Sequence, residues 1–173
     1  MDTASASQPP DNSTARLNME LYGSLGLPLS GYVSADDILG LKLQFAFRDY
    51  DRRYGIALAG YASAGLEGGS GMYNAELHGM FVALRWLDIG AFAEFGHCKN
   101  WHGEYTFAGG GPIVTTRLWP LTFFAQAGLR RNTETGDSFE TANGGGAFMR
   151  IGVGFYFGAP PPLAAIPKTG GVG

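Results

Sequence analysis

Eight charged side chains stand among apolar, aromatic and glycine neighbours: Glu20, Lys42, Arg48, Glu76, Glu94, Glu104, Arg130 and Arg150. Four are acids and four are bases. Ions set in greasy sequence have one favourable chemistry, which is pairing with each other away from water. Other residues invite catalysis or metal binding. His78 or His102, joined with Glu76, Glu104 or Ser138, contains the residue types of an acyl-transfer site. His97, Cys98 and His102 are possible metal ligands, but without a fourth donor they read as incidental.

These residues are positioned by strands. In residues 147–157 the odd positions Ala147, Met149, Ile151, Val153, Phe155 and Phe157 are apolar. The even positions Phe148, Arg150, Gly152, Gly154 and Tyr156 are mixed. A period of two over this length is a β-strand with two different faces. The same alternation starts at Arg16 and occurs seven times before residue 147. It predicts strands from Arg16, from Leu39, from Tyr54, from Tyr73, from Leu87, from Gly103 and from Leu121. In the sixth, the apolar face is read as Gly103, Tyr105, Phe107 and Gly109, against His102, Glu104, Thr106 and Ala108. That strand is expected to weaken at Gly109-Gly110-Gly111-Pro112.

The connections alternate in length. Short turns are expected at 49–53, around Arg85-Trp86 and at 115–120. Longer loops are expected at 28–37, 67–71, 96–101 and 131–145. Short turns at one end and longer loops at the other mark an up-and-down membrane barrel. The expected fold is all-β: an eight-stranded antiparallel up-and-down transmembrane β-barrel over residues 16–157. A disordered leader at 1–15 precedes it, and a proline- and glycine-rich tail at 158–173 follows.

Charge placement sets the direction of the faces. All eight charges fall on the mixed faces in this reading. A balanced set of ions is what a narrow lumen requires, because each needs a partner there. Tyr22, Tyr61, Phe92, Phe124, Phe148 and Tyr156 alternate with glycines and fill the same lumen. A soluble lipocalin-type barrel needs the reverse arrangement, an apolar lumen and a polar exterior. Aromatics fall near both ends of the outer faces. Phe47, Tyr54, Trp86, Trp119 and Phe157 are assigned to the turn end, and Tyr73, Phe95 and Trp101 to the loop end, as interfacial girdles.

Composition agrees with this reading. Glycine is frequent (28 of 173 residues), aromatics make up 13% and charged residues only 16%. The net charge of −3 gives no footprint for nucleic acid, and one cysteine excludes an intrachain disulfide. No run approaches the roughly 18 apolar residues of a membrane helix. Met1-Asp2-Thr3-Ala4 has no signal-peptide character, so the chain is expected to be a mature form.

At this point the chain resembles the small eight-stranded outer-membrane proteins of Gram-negative bacteria, the family of the OmpA membrane domain and OmpX. The resemblance covers roughly residues 16–157 and rests on architecture and on the terminal GVGFYF, Gly152 to Phe157. It implies location in the outer membrane. It also implies contact with outer-membrane lipids, including lipopolysaccharide, and recognition by the barrel assembly machinery. In the family the aromatic signal usually closes the polypeptide; here residues 158–173 follow, which is similar to family members whose barrel continues into a periplasmic segment.

For function, the reading placed first is a structural or interaction scaffold acting through its extracellular loops or its tail, with a lumen plugged by the ionic network. The tail is a docking peptide for a periplasmic protein in one version and a linker in the other. A gated small-conductance pore is the alternative, and a lipid-modifying enzyme comes last. The enzyme reading needs a nucleophile on the outer surface and an apolar upper lumen, whereas His78 and Glu76 share the inner face. Arg52, Arg53, Arg85 and Arg117 at the turn end read as anchors to lipid phosphates. No cofactor motif and no complete metal site is found.

Overall fold

A computed structural model describes residues 15–29, 38–65, 70–100, 103–134, 145–158 and 160. Expectations for the leader up to residue 14, the longer loops' centres, Trp101, His102, Ser138 and most of the tail lie outside the described residues.

Eight strands follow one another: β1 (Ala15–Pro28), β2 (Leu39–Asp49), β3 (Tyr54–Ala64), β4 (Gly71–Leu84), β5 (Leu87–Asn100), β6 (Gly103–Leu118), β7 (Leu121–Glu134) and β8 (Gly145–Phe157). Each pairs antiparallel with the next, and β1 pairs with β8, so the sheet closes and has no edge. The register fixes the stagger. Starting at Leu121, the directly paired residues are Phe155, Leu21, Leu43, Gly60, Ala75, Phe95, Ala108 and then Arg131. The path returns to β7 ten residues further on. This stagger tilts the strands, and eight tilted strands leave an interior that side chains can fill.

Burial alternates residue by residue, as it does along β4 from Met72 to Val82. The interior is polar and charged, and the exterior is greasy. Leu17, Leu41, Leu58, Phe95 and Leu129 are between 63% and 72% exposed, whereas Glu20, Lys42, Arg48 and Arg150 are at most 1% exposed. In water this arrangement would be inverted. In a bilayer it satisfies every backbone group within the closed sheet and presents hydrocarbon to hydrocarbon.

The sixth strand faces the opposite way from its sequence reading. Tyr105 and Phe107 point inward, and Glu104 is exposed on the outside. The alternation is ambiguous there because one face carries aromatics and the other carries small residues. The deciding contact is with β7: the Arg130 guanidinium stacks 4.2 Å from the Phe107 ring centroid. Nor does β6 end at the glycine run. Its register with β5 continues through Ala91↔Pro112 to Leu87↔Thr116. On the β7 side the ladder skips from Gly110 to Ile113, where proline has no N–H to give. The strand therefore carries Arg117 into the lumen instead of placing it in a turn. Residues 96–100 likewise continue β5, leaving only residues 101–102 before β6.

Candidate functional site

The lumen is where the chain concentrates its chemistry. Each ion reaches it from an alternate position of a strand, so its backbone is fixed by two neighbouring strands before its side chain is placed. The ions form two runs.

The run nearer the short turns is Arg117–Asp88–Arg48–Glu20. Arg117 grips both oxygens of Asp88: Nη2 donates to Oδ1 at 2.9 Å, and Nη1 donates to Oδ2. Arg48 Nε donates to the same Oδ2 at 2.7 Å, and its Nη2 lies 2.7 Å from Glu20 Oε1. Gln44 donates to Glu20 at 2.8 Å, and the Tyr22 hydroxyl donates to the same carboxylate oxygen. Arg117 Nη2 also donates to the Arg85 carbonyl at 3.1 Å, which ties the lumen to the β4–β5 turn.

The second run, in the middle of the lumen, is Lys42–Glu76–Arg150–Glu94–Arg130. Lys42 Nζ is 2.6 Å from Glu76 Oε2. Arg150 Nη1 spans Glu76 Oε1 at 3.0 Å and Glu94 Oε2 at 3.1 Å. Arg130 Nε lies 3.0 Å from Glu94 Oε1. Gln126 and Asn74 donate to the same two carboxylates. The two runs thus hold five cations and four carboxylates: the first has two of each, and the second has three cations to two acids. The surplus positive charge lies against aromatic faces. Arg130 is 4.5 Å and Arg150 4.7 Å from the Phe148 centroid, Arg150 is 4.3 Å from Tyr61, and Lys42 is 4.5 Å from Phe124. Ring quadrupoles supply part of the missing negative charge.

Seven of the eight sequence-selected ions meet in these runs. Glu104 does not. It lies on the outer face at the loop end, 2.9 Å from Lys99 and 3.7 Å from His97. Asp88 and Arg117 take part although the sequence reading does not select them, so the expected balance of four against four is replaced by five against four. Asp88 sits at an inner position one residue into β5, where parity marks it. Arg117 is hidden in the sequence by the glycine run.

Toward the loop end the inner face turns apolar, with Tyr61, Met72, Cys98, Tyr105 and Phe107 packed together. The sequence reading puts Glu104 on the inner face of this strand and Tyr105 on the outer; in the structure the two exchange places. His78 Nε2 lies 2.9 Å from Glu76 Oε2, so the two residues do form a dyad. Both side chains are 0% exposed. His97 and Cys98 point to opposite faces of β5 and cannot share a metal ion: the cysteine is buried inside, and the histidine stacks outside on Tyr73 at 5.3 Å. Among the described residues no cluster has the donors for a metal.

Phe47, Tyr54, Trp86, Trp119 and Phe157 are exposed on the outer side toward the short turns, and Tyr73 and Phe95 toward the loops. A closed barrel with an oily belt, aromatic rims and an ionic interior has one environment in which it is stable. The protein is a transmembrane β-barrel.

No known sequence family matches the chain, and no curated protein does. Among solved structures, the barrel is similar to Neisserial surface protein A, with a TM-score of 0.49 at 10% identity over 83% of this chain and 97% of that one. It is also similar to a major outer membrane protein from Thermus thermophilus (TM-score 0.45, 11% identity, 82% and 99% coverage). The Yersinia pestis outer membrane protein Ail is comparable (0.45, 11%, 82% and 100%).

Proposed function

We propose that this outer-membrane barrel is a closed scaffold whose lumen is plugged and whose work is done by its ends. The observation that carries this reading is Arg150 bridging Glu76 and Glu94 across the lumen with no exposed side-chain surface. Moving a hydrated ion through the barrel requires breaking that bridge and leaving buried charges unpaired, which costs several kcal/mol per ion. The rings of Phe148, Tyr61 and Phe124 lie 4.3–4.7 Å from the Arg150 and Lys42 cations and help to hold them in place. Catalysis is not part of this reading, because the one histidine–carboxylate dyad in the described lumen is sealed. The loop end meets the outside of a Gram-negative cell, lipopolysaccharide surrounds it, and the barrel assembly machinery inserts it. Residues 158–173 meet a periplasmic protein.

Planar-bilayer recording tests the closed lumen. The intact barrel is expected to give no current above the lipid baseline. Steady ohmic steps in the wild type would establish the pore reading instead. A pull-down from periplasmic extract with and without residues 158–173 tests the tail.

A further inference from the structure

At the turn end, two neighbouring connections form a cleft. The β2–β3 turn ends at Arg53, whose φ of 57° makes it the one non-glycine residue in the left-handed region among those described. That region is the habitat of glycine, and of asparagine to a lesser degree, because a larger side chain crowds the backbone there. The conformation is held by β4: Val82 N–H donates to the Arg53 carbonyl at 3.0 Å. Immediately beyond, the β4–β5 register shifts between Val82 and Leu84, so Ala83 forms a bulge. A bulge bends its strand and re-aims the side chains beside it. Between the turn and the bulge lies a cleft of about 400 Å³, lined by Tyr50, Arg53, Leu84, Arg85 and Trp86 together with Val82.

The chemistry of the walls is divided. Arg53 and Arg85 supply two exposed guanidinium groups, and Leu84 and Trp86 supply an exposed apolar wall at the edge of the oily belt. The acids of the same turn are directed elsewhere. Asp49 accepts from the backbone N–H groups of Asp51 and Arg52 at 3.1 and 3.0 Å and holds the Arg52 side chain at 3.8 Å. Asp51 does not line the cleft. Arg85 is fixed from inside by the bond from Arg117 to its carbonyl. Two arginines lining one cleft supply the chemistry that matches a phosphate. The adjoining tryptophan and leucine match the glycerol and the first acyl carbons of a lipid.

We propose that this cleft binds the phosphate of an anionic glycerophospholipid in the leaflet at the turn end of the barrel. The strain at Arg53 then has a use, since it aims a guanidinium that glycine could not supply. The proposal rests on the membrane placement of the barrel. It does not depend on the scaffold role or on the closed lumen, so a conducting barrel would leave it standing.

The test uses the whole folded chain in dodecyl maltoside micelles. Native mass spectrometry measures retention of dioctanoyl phosphatidylglycerol, dioctanoyl phosphatidylcholine and inorganic phosphate. One phosphatidylglycerol is expected to be held about fivefold more tightly than phosphatidylcholine, with inorganic phosphate failing to displace it at equal concentration. Arg53→Gly and Arg85→Gln are each expected to lower phosphatidylglycerol retention about fivefold, and Arg52→Gln to leave it unchanged. Thermal unfolding separates binding from architecture: Arg53→Gly is expected to melt at or above the wild-type temperature, because glycine takes the left-handed conformation freely. The proposal is overturned by equal retention of both lipids, by full retention in the Arg53 and Arg85 variants, or by an equal loss in Arg52→Gln. Displacement by inorganic phosphate, or an Arg53→Gly variant that melts below wild type, overturns it as well.

Discussion

Arg117 and Asp88 form a two-pronged ion pair at the turn end of the lumen, with Nη2 2.9 Å from Oδ1 and Nη1 donating to Oδ2. Neither side chain is more than 2% exposed. Removing one partner strands the other charge away from water. Arg117→Ala is therefore expected to destabilise the barrel by about 3–5 kcal/mol. Arg52→Ala, an exposed charge 3.8 Å from Asp49, is expected to change stability by less than about 1 kcal/mol. Urea titration of the folded, heat-modifiable form on gels measures both.

This pair also shows where the sequence is readable and where it is not. The eight strands are legible because one face of most of them is uninterruptedly apolar, as in Leu39, Leu41, Leu43, Phe45 and Phe47 of β2. Inner positions are legible wherever a charge stands in mid-strand, as at Lys42, Glu76 and Arg150. The sixth strand offers no such marker. Its inner face has Tyr105, Phe107 and Ile113, and its outer face has Ala108, Gly110 and Val114, so hydrophobicity alone assigns the faces backwards. What settles them is a long-range contact, Arg130 over Phe107, which no local pattern contains. The glycine run at 109–111 conceals the rest of the strand. In the structure these glycines serve close approach: a Cβ on Gly111 would lie 2.1 Å from the Ala127 carbonyl oxygen. The ion lattice is legible as a set of partners, but its pairing is not, because pairing depends on the ten-residue stagger of the closed barrel.

The reversed face of β6 makes Glu94 and Glu104 a direct comparison. Glu94 receives Arg130 and Arg150 inside the barrel, whereas Glu104 meets Lys99 on the outside. Glu94→Gln is expected to destabilise by about 3–5 kcal/mol, since two buried guanidinium groups lose their shared charge. Glu104→Gln is expected to leave the unfolding midpoint where it is. Equal effects of the two substitutions would return Glu104 to the lumen.

Glycines on the two faces are expected to behave oppositely. A Cβ on Gly154 would lie 2.0 Å from the Leu21 carbonyl oxygen, so Gly154→Ala must push β1 and β8 apart at the seam that closes the barrel. That substitution is expected to cost at least about 1–3 kcal/mol and to slow refolding into detergent. On the lipid side, a Cβ on Gly23 meets nothing within 4 Å. Gly23→Ala is expected to be neutral or mildly stabilising, because glycine weakens a strand interior through its backbone freedom. The midpoint of urea unfolding separates the two outcomes.

Arg150 holds Glu76 and Glu94 with the same nitrogen, at 3.0 and 3.1 Å, and so joins two carboxylates that each have a further cation. If the lattice acts as a unit, losses at Arg150 and at Glu94 cannot add. Once Glu94 is neutral, Arg150 retains Glu76, and removing Arg150 then relieves part of the surplus positive charge that the rings of Tyr61 and Phe148 otherwise carry alone. The double substitution Arg150→Met with Glu94→Gln is therefore expected to be more stable than the sum of the single losses, by about 0.5–3 kcal/mol. Arg150→Met paired with Gly23→Ala, whose side-chain position lies on the outer face away from the lattice, is expected to be additive within about 0.5 kcal/mol. Additivity in the first cycle would mean that each bridge stands alone and that the lumen is a collection of separate pairs.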